Sequence, residues 1–230
     1  MKSLGIIGGL GPESTIDYYR SLLAIHREQH PDAGAPSIII NSVDFKRALA
    51  LVTANQLTEL VEFLSAEIRR LAAAGVDVGL ISANTPHLVF DDIARNSPIP
   101  MISIVEATCR HARQLGFQRV GLLGTRFTMQ ASFYPEVFAS SGIQICVPSS
   151  EEQDYVGEKY LNELVTGKFL DETRDSLVRI IARLKEREGV EGVILGGTEL
   201  PLILPGAEAG GVPLLDTTQI HVRAALDALQ

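Results

Sequence analysis

The feature that most restricts the fold of this chain is that it is written twice. "GIIGGLGPES" from Gly5 resembles "GLLGTRFTMQ" from Gly121, "GVDVGLISANT" from Gly75 matches "GVEGVILGGTE" from Gly189, and "IPMIS" from Ile99 matches "VPLLD" from Val212. The offsets are 116, 114 and 113 residues, in order and drifting by only three. Each repeated piece contains an apolar run that stops at a turn signal. Four such runs lie in the first half (4–9, 37–41, 77–82, 99–103) and four in the second (119–124, 143–147, 191–196, 212–216). Between them run segments with helical periodicity. In "LTELVEFLSAEIRRLAAAG" the residues Leu57, Leu60, Val61, Leu64, Ile68 and Leu71 follow the i, i+3, i+4, i+7 rule, and Gly75 supplies the stop. Near-continuous apolar strands alternating with helices indicate parallel sheets covered on both faces. The expected fold is therefore α/β: two pseudo-symmetric lobes, each a four-stranded parallel sheet flanked by helices, with a ligand cleft between the lobes. The expected division is residues 1–102 plus 217–230 for the first lobe and 103–216 for the second. The final helix, 217–229, crosses back to the first lobe.

In open parallel sheets, ligands bind beyond the carboxyl ends of the strands. Four of those ends are polar here: "GGLGPEST", "SANTPH", "GTRFTMQ" and "GGTELP". The internal alignment sets Ala83 against Gly197, Asn84 against Thr198, and Thr85 against Glu199. Hydroxyls, an amide and exposed backbone N–H groups suit a small carboxylate. Asn84, Thr85, Thr125 and Thr198 are thus candidate ligand contacts, as are Ala83 and Gly197 by position. The glycine-rich turn after the first strand, with Gly9 and Leu10, reads as a backbone anion cradle. It is not G-x-G-x-x-G, and Gly167-Lys168 is followed by Phe169, so neither a dinucleotide fingerprint nor a phosphate loop is present. Pro12 fits the first turn of the helix that follows.

Composition narrows the partners. A net charge of −8 argues against a nucleic-acid surface. No apolar run approaches the roughly 20 residues a membrane helix needs, and the apolar start of the chain is too short for a signal peptide. Two cysteines, Cys109 and Cys146, make neither a disulfide framework nor a metal cluster, and both read as small buried hydrophobes. The expectation is a cytoplasmic protein with no metal, no nucleic-acid partner, no membrane contact, and a small carboxylate or amino acid as ligand.

The motifs "GIIGGLGPEST", "ANTPH", "GLLGTRFTM", "GTELPLIL" and "VPLLDTTQIH", in this order, resemble those of the aspartate/glutamate racemase family, and the similarity spans essentially the whole chain. The resemblance implies a two-lobed, usually dimeric α/β enzyme that needs no cofactor and inverts the α-carbon of an acidic amino acid. It also implies two catalytic cysteines, one per lobe. Their places are Ala83 and Gly197 here, so both thiols of the usual mechanism are absent. Glu199 and His87 are the nearby groups that titrate in a useful range. Glu199 can act as acid–base group, hold its turn, or meet a substrate ammonium. His87 can act as acid–base group or bond a loop carbonyl. Arg47 can grip a carboxylate or be a solvated helix charge, and Lys168 reads as a surface residue. Three functions stay open: racemisation through a rearranged base, a lyase or isomerase reaction on a related acid, and ligand binding without catalysis.

Overall fold

The computed structural model describes residues 2–230. Leu4–Gly8, the sequence LGIIG, is buried at every position and forms β1, one of the two inner strands of the first sheet. From it the chain runs through α1 (Pro12–Gln29), β2 (Ile38–Ser42), α2 (Phe45–Thr53), α3 (Leu57–Ala73), β3 (Val78–Ile81), a 3₁₀ turn (Thr85–Val89), α4 (Phe90–Arg95) and β4 (Met101–Ile102). The strand order is β2-β1-β3-β4, all parallel.

After α5 (Ile104–Gln114) the pattern recurs: β5 (Arg119–Gly124), α6 (Arg126–Gln130), α7 (Phe133–Ala139), β6 (Gln144–Cys146), α8 (Ser150–Asn162), α9 (Asp171–Glu188), β7 (Gly192–Gly196), α10 (Leu200–Ile203), β8 (Glu208–Ala209), β9 (Val212–Asp216) and α11 (Thr217–Ala228). The second sheet runs β6-β5-β7-β9-β8. Its first four strands repeat the order of the first sheet, as the doubled sequence requires. The fifth departs from expectation. Gly210 and Gly211, with φ of 57° and 77°, make a tight reversal that folds the two-residue β8 back antiparallel on β9. The second sheet is thus mixed and five-stranded rather than four-stranded and parallel.

The repeated glycines have one physical cause. A Cβ on Gly5 would lie 2.9 Å from Val76 Cγ2 and 3.2 Å from Leu71 Cδ1, and one on Gly121 would lie 2.7 Å from Leu184 Cδ2. Each strand is bare at that point because a helix, α3 or α9, lies directly on it.

The chain divides into two compact units: residues up to Ile104 together with His221–Gln230, and Val105–Ile220. The core of the first unit joins Leu4, Ile6, Tyr18, Leu22 and Leu80 to Val222, Ala225, Leu226 and Leu229 from the end of the chain. Each large aliphatic of that last segment contributes roughly 1.5–3 kcal/mol by leaving water. A polar seam fixes the register: Tyr18 Oη donates to His221 Nδ1 at 2.9 Å, and His221 Nε2 donates to the Ile102 carbonyl at 3.0 Å. In the second unit α8 and α9 cover β5 and β7 through Val156, Tyr160, Leu177, Ile180, Ile181 and Leu184.

Candidate functional site

In the first unit, the turn after β1 is shaped by close packing. Gly9 has φ 79°, and a Cβ there would lie 2.6 Å from both Ser42 Oγ and the Val43 carbonyl oxygen. Its N–H donates to Thr15 Oγ1 at 2.8 Å, and that hydroxyl donates to the Gly11 carbonyl at 3.1 Å. The expected anion cradle at Gly9 and Leu10 therefore has one of its N–H groups already engaged within the turn, and Leu10 is buried.

At the end of β3, Ser82 faces inward, its hydroxyl donating to the Ile7 carbonyl at 3.1 Å. Ala83 and Asn84 are buried and Thr85 half-buried. His87 is fully engaged. Its Nδ1 donates to the Ala83 carbonyl at 3.0 Å, while Nε2 accepts the Ile104 N–H at 3.2 Å. The ring stacks on Phe90 at 4.7 Å. Burial, with His221 nearby, lowers its pKa to about 3, so the imidazole is neutral and ties the β3 turn to the start of α5. That is the structural alternative left open for His87, and it conflicts with acid–base work, because neither nitrogen is open to a substrate. Arg47 lies exposed on α2, its guanidinium 4.4 Å from the centre of the Phe63 ring.

In the second unit, Thr125 caps α6: its Oγ1 accepts the Thr128 N–H at 3.1 Å and lies 3.0 Å from Thr128 Oγ1. The β7 end carries Gly197, Thr198 and Glu199, all buried. Glu199 is 1% exposed. Its Oε2 accepts hydrogen bonds from Tyr160 Oη and, at 3.3 Å, from Thr198 Oγ1. Sequence reasoning missed Tyr160. Its helical register with Gln153, Val156 and Gly157 marks the inward face of α8, but nothing local to α8 connects it to Glu199. Burial, and then the Glu199 charge, push the Tyr160 hydroxyl well above the ordinary tyrosine range. A buried carboxyl group fed by two hydroxyl donors can accept and return a proton.

The remaining candidates lie outside these clusters. Cys109 is buried on α5 with its Sγ 3.4 Å from Ser141 Oγ. Cys146 is buried on β6, where desolvation raises its thiol. Lys168 is exposed just after the Leu164–Thr166 turn. No helix among the described residues is long and apolar enough to cross a membrane. Among those residues no group of three or more His, Cys, Asp or Glu side chains is placed to hold a metal ion.

Residues 7–225 match the profile described as Asp/Glu/Hydantoin racemase. A Yersinia pestis protein assigned as an Asp/Glu racemase has a crystal structure that superposes with TM-score 0.89 at 36% identity, covering 100% of this chain and 99% of that one. An aspartate racemase homologue from Pyrococcus horikoshii OT3 gives TM-score 0.85, also at 36% identity, covering 100% and 99%. A glutamate racemase of Thermus thermophilus is 30% identical over 166 residues, 70% of this chain and 58% of that enzyme, so the match spans less than two thirds of its length.

Proposed function

The chain belongs to the Asp/Glu/Hydantoin racemase family, and on that premise we propose that it moves the α-proton of a small acidic amino acid, without a cofactor, using Glu199 as the acid–base group. The observation that carries this is the Glu199 carboxyl group itself, 1% exposed at the end of β7 and held by the hydroxyls of Tyr160 and Thr198. In the step proposed, the Cα–H bond breaks, its electron pair is delocalised into the substrate carboxylate, and the proton passes to Glu199 and is later returned. At this end of the second unit Thr125 and Thr198 are the proposed contacts for a ligand carboxylate; in the first unit, taken by itself, Asn84 and Thr85 are the proposed contacts, with Arg47 as a proposed charge partner. With alanine and glycine at 83 and 197, no thiol takes part. A homodimer in the cytoplasm belongs to the same proposal, and sedimentation of the purified protein tests the dimer.

One observation favours a narrower chemistry. The β3 end offers Ala83 and a neutral, doubly bonded His87, so the carboxyl group of the second unit has no counterpart there of its own kind. Proton removal and return would then occur on one face, exchanging the α-hydrogen without inverting the carbon. Incubation of each enantiomer of aspartate and glutamate in D₂O separates the cases. Deuterium at Cα with loss of optical activity supports racemisation, and deuterium with retention supports one-sided transfer. Ligand-dependent thermal stabilisation with no deuterium would leave only a binding role.

A further inference from the structure

Glycine at position 197 needs an explanation, because its backbone does not supply one. Its φ lies outside the left-handed region occupied by ten other glycines among the described residues. What excludes a side chain is the ring of Tyr160: a Cβ on Gly197 would lie 2.9 Å from both its Cζ and its Oη, and nearer still to Cε2. We propose that Tyr160 is the positioning residue of this site, its hydroxyl orienting the Glu199 carboxyl group and favouring its ionised form, while its ring fills the space that a residue-197 side chain would use. The role given to Glu199 rests on the function proposed above; the contacts among the three residues do not.

Tyr160 is well placed for this. It is 5% exposed and packed with Leu123, Met129, Val156, Leu164 and Leu200 in one cluster, so the ring cannot swing away without opening the core of the unit. A hydroxyl pushed well above the ordinary tyrosine range keeps its proton at working pH. It therefore serves as a fixed donor and not as a second acid. Thr198 Oγ1 donates to the same carboxyl oxygen. A carboxylate that accepts hydrogen bonds is favoured over its neutral form.

Charged groups on the neighbouring elements have partners of their own. Arg126, on α6 where it faces Gly157 of α8, pairs with Asp154 at 2.9 Å. Lys159 pairs with Glu163 at 2.5 Å, and Arg183 of α9 pairs with Glu152 at 2.6 Å. Glu158 on α8 is exposed. The titratable group shown bonded to Glu199 from α8 is Tyr160.

Tyr160→Phe keeps the ring and removes the donor. The Glu199 carboxyl signal, followed by carbon NMR in glutamate-labelled protein and assigned by its loss in Glu199→Gln, is expected to titrate about one pH unit higher in Tyr160→Phe. The acid limb of any Cα-exchange profile should move up by the same amount. An unchanged titration in a folded Tyr160→Phe protein overturns the orienting role. In the unaltered protein, the Tyr160 ring carbon bearing oxygen should shift in step with the Glu199 titration, and a flat response overturns it even if the variant fails to fold. For the ring, Gly197→Ala should lower Tm in the parent but do so by less than half as much beside Tyr160→Leu. Additive losses overturn the space-filling role. If no amino acid exchanges its α-proton, the proposed function falls, while these titrations and melting temperatures still decide on Tyr160.

Discussion

The ends of β3 and β7 hold equivalent places in their sheets, each an inner strand beside the first strand of its unit and each followed by a short helical turn. Their chemistry differs. After β3 the chain presents a methyl group at Ala83, and its nearest imidazole is locked neutral between a carbonyl and an N–H. After β7 it presents a bare backbone at Gly197 and a buried carboxyl group taking hydrogen bonds from a phenol and a threonine. The duplicated sequence copied the backbone and the packing glycines, as Gly5 and Gly121 show, but not the groups at the strand ends. A fold repeated in space constrains where chemistry can be placed, and leaves each copy to fill that place with its own residues.

The widest test of this contrast sets Glu199→Gln against His87→Gln. Loss of the carboxyl group should lower Cα-proton exchange about 10²- to 10⁴-fold, the usual range for a general acid or base. His87→Gln, in protein that remains folded, should lower exchange by less than tenfold. Comparable losses in both would restore a chemical role to the β3 end.

Acid stability is the next test. His87 has a folded pKa of about 3 against an ordinary 6.5. Below pH 6.5 the unfolded chain binds a proton that the folded chain refuses until about pH 3, so stability is full above 6.5 and declines as pH falls. The decline should reach about 1.4 kcal/mol per pH unit and total about 4–5 kcal/mol. Denaturant midpoints between pH 5 and 6.5, above the titration of ordinary carboxyls, should show this slope in the parent and a flatter one in His87→Gln. Equal slopes would mean the ring is reached by protons in the folded state.

Smaller effects sharpen the same comparison. Gly197→Ala, pressed against Tyr160, should cost about 1–3 kcal/mol of stability by urea unfolding. Grafting a thiol at Ala83 should be tolerated better than grafting one at Gly197, where the ring already stands. Smallest is Thr125→Ala, which removes the cap of α6 and should cost about 1 kcal/mol. If it instead abolished ligand-dependent stabilisation while leaving Tm nearly unchanged, Thr125 would be a ligand contact before it is a cap.

Strand positions were legible because each is an apolar run that stops at a turn signal; the expected 4–9, 119–124 and 191–196 stand as 4–8, 119–124 and 192–196. β8 was missed because two residues carry no periodicity, although the Gly-Gly beside it is a hairpin signal. The site was legible only where chemistry sits beside its strand. Glu199 follows β7 directly, but its phenol partner lies 39 residues away in the chain. His87 stayed ambiguous because what settles it, the Ile104 N–H, comes from 17 residues downstream. Gly197 was legible only as the place of an absent cysteine, and the structure makes it a packing requirement imposed by a distant ring.

The apolar residues that α11 and Leu229 bring to the first unit have a consequence for synthesis. Val222, Ala225, Leu226 and Leu229 complete the core that begins with Leu4 and Ile6, so the first unit to be translated is the last to be finished. While the ribosome makes residues 105–220, the earlier sheet must wait with part of its apolar surface uncovered. The second unit is contiguous in sequence and has no such wait. A nascent chain arrested before His221 should therefore yield a protease-resistant second unit and a first unit that is cut readily and captured by chaperones.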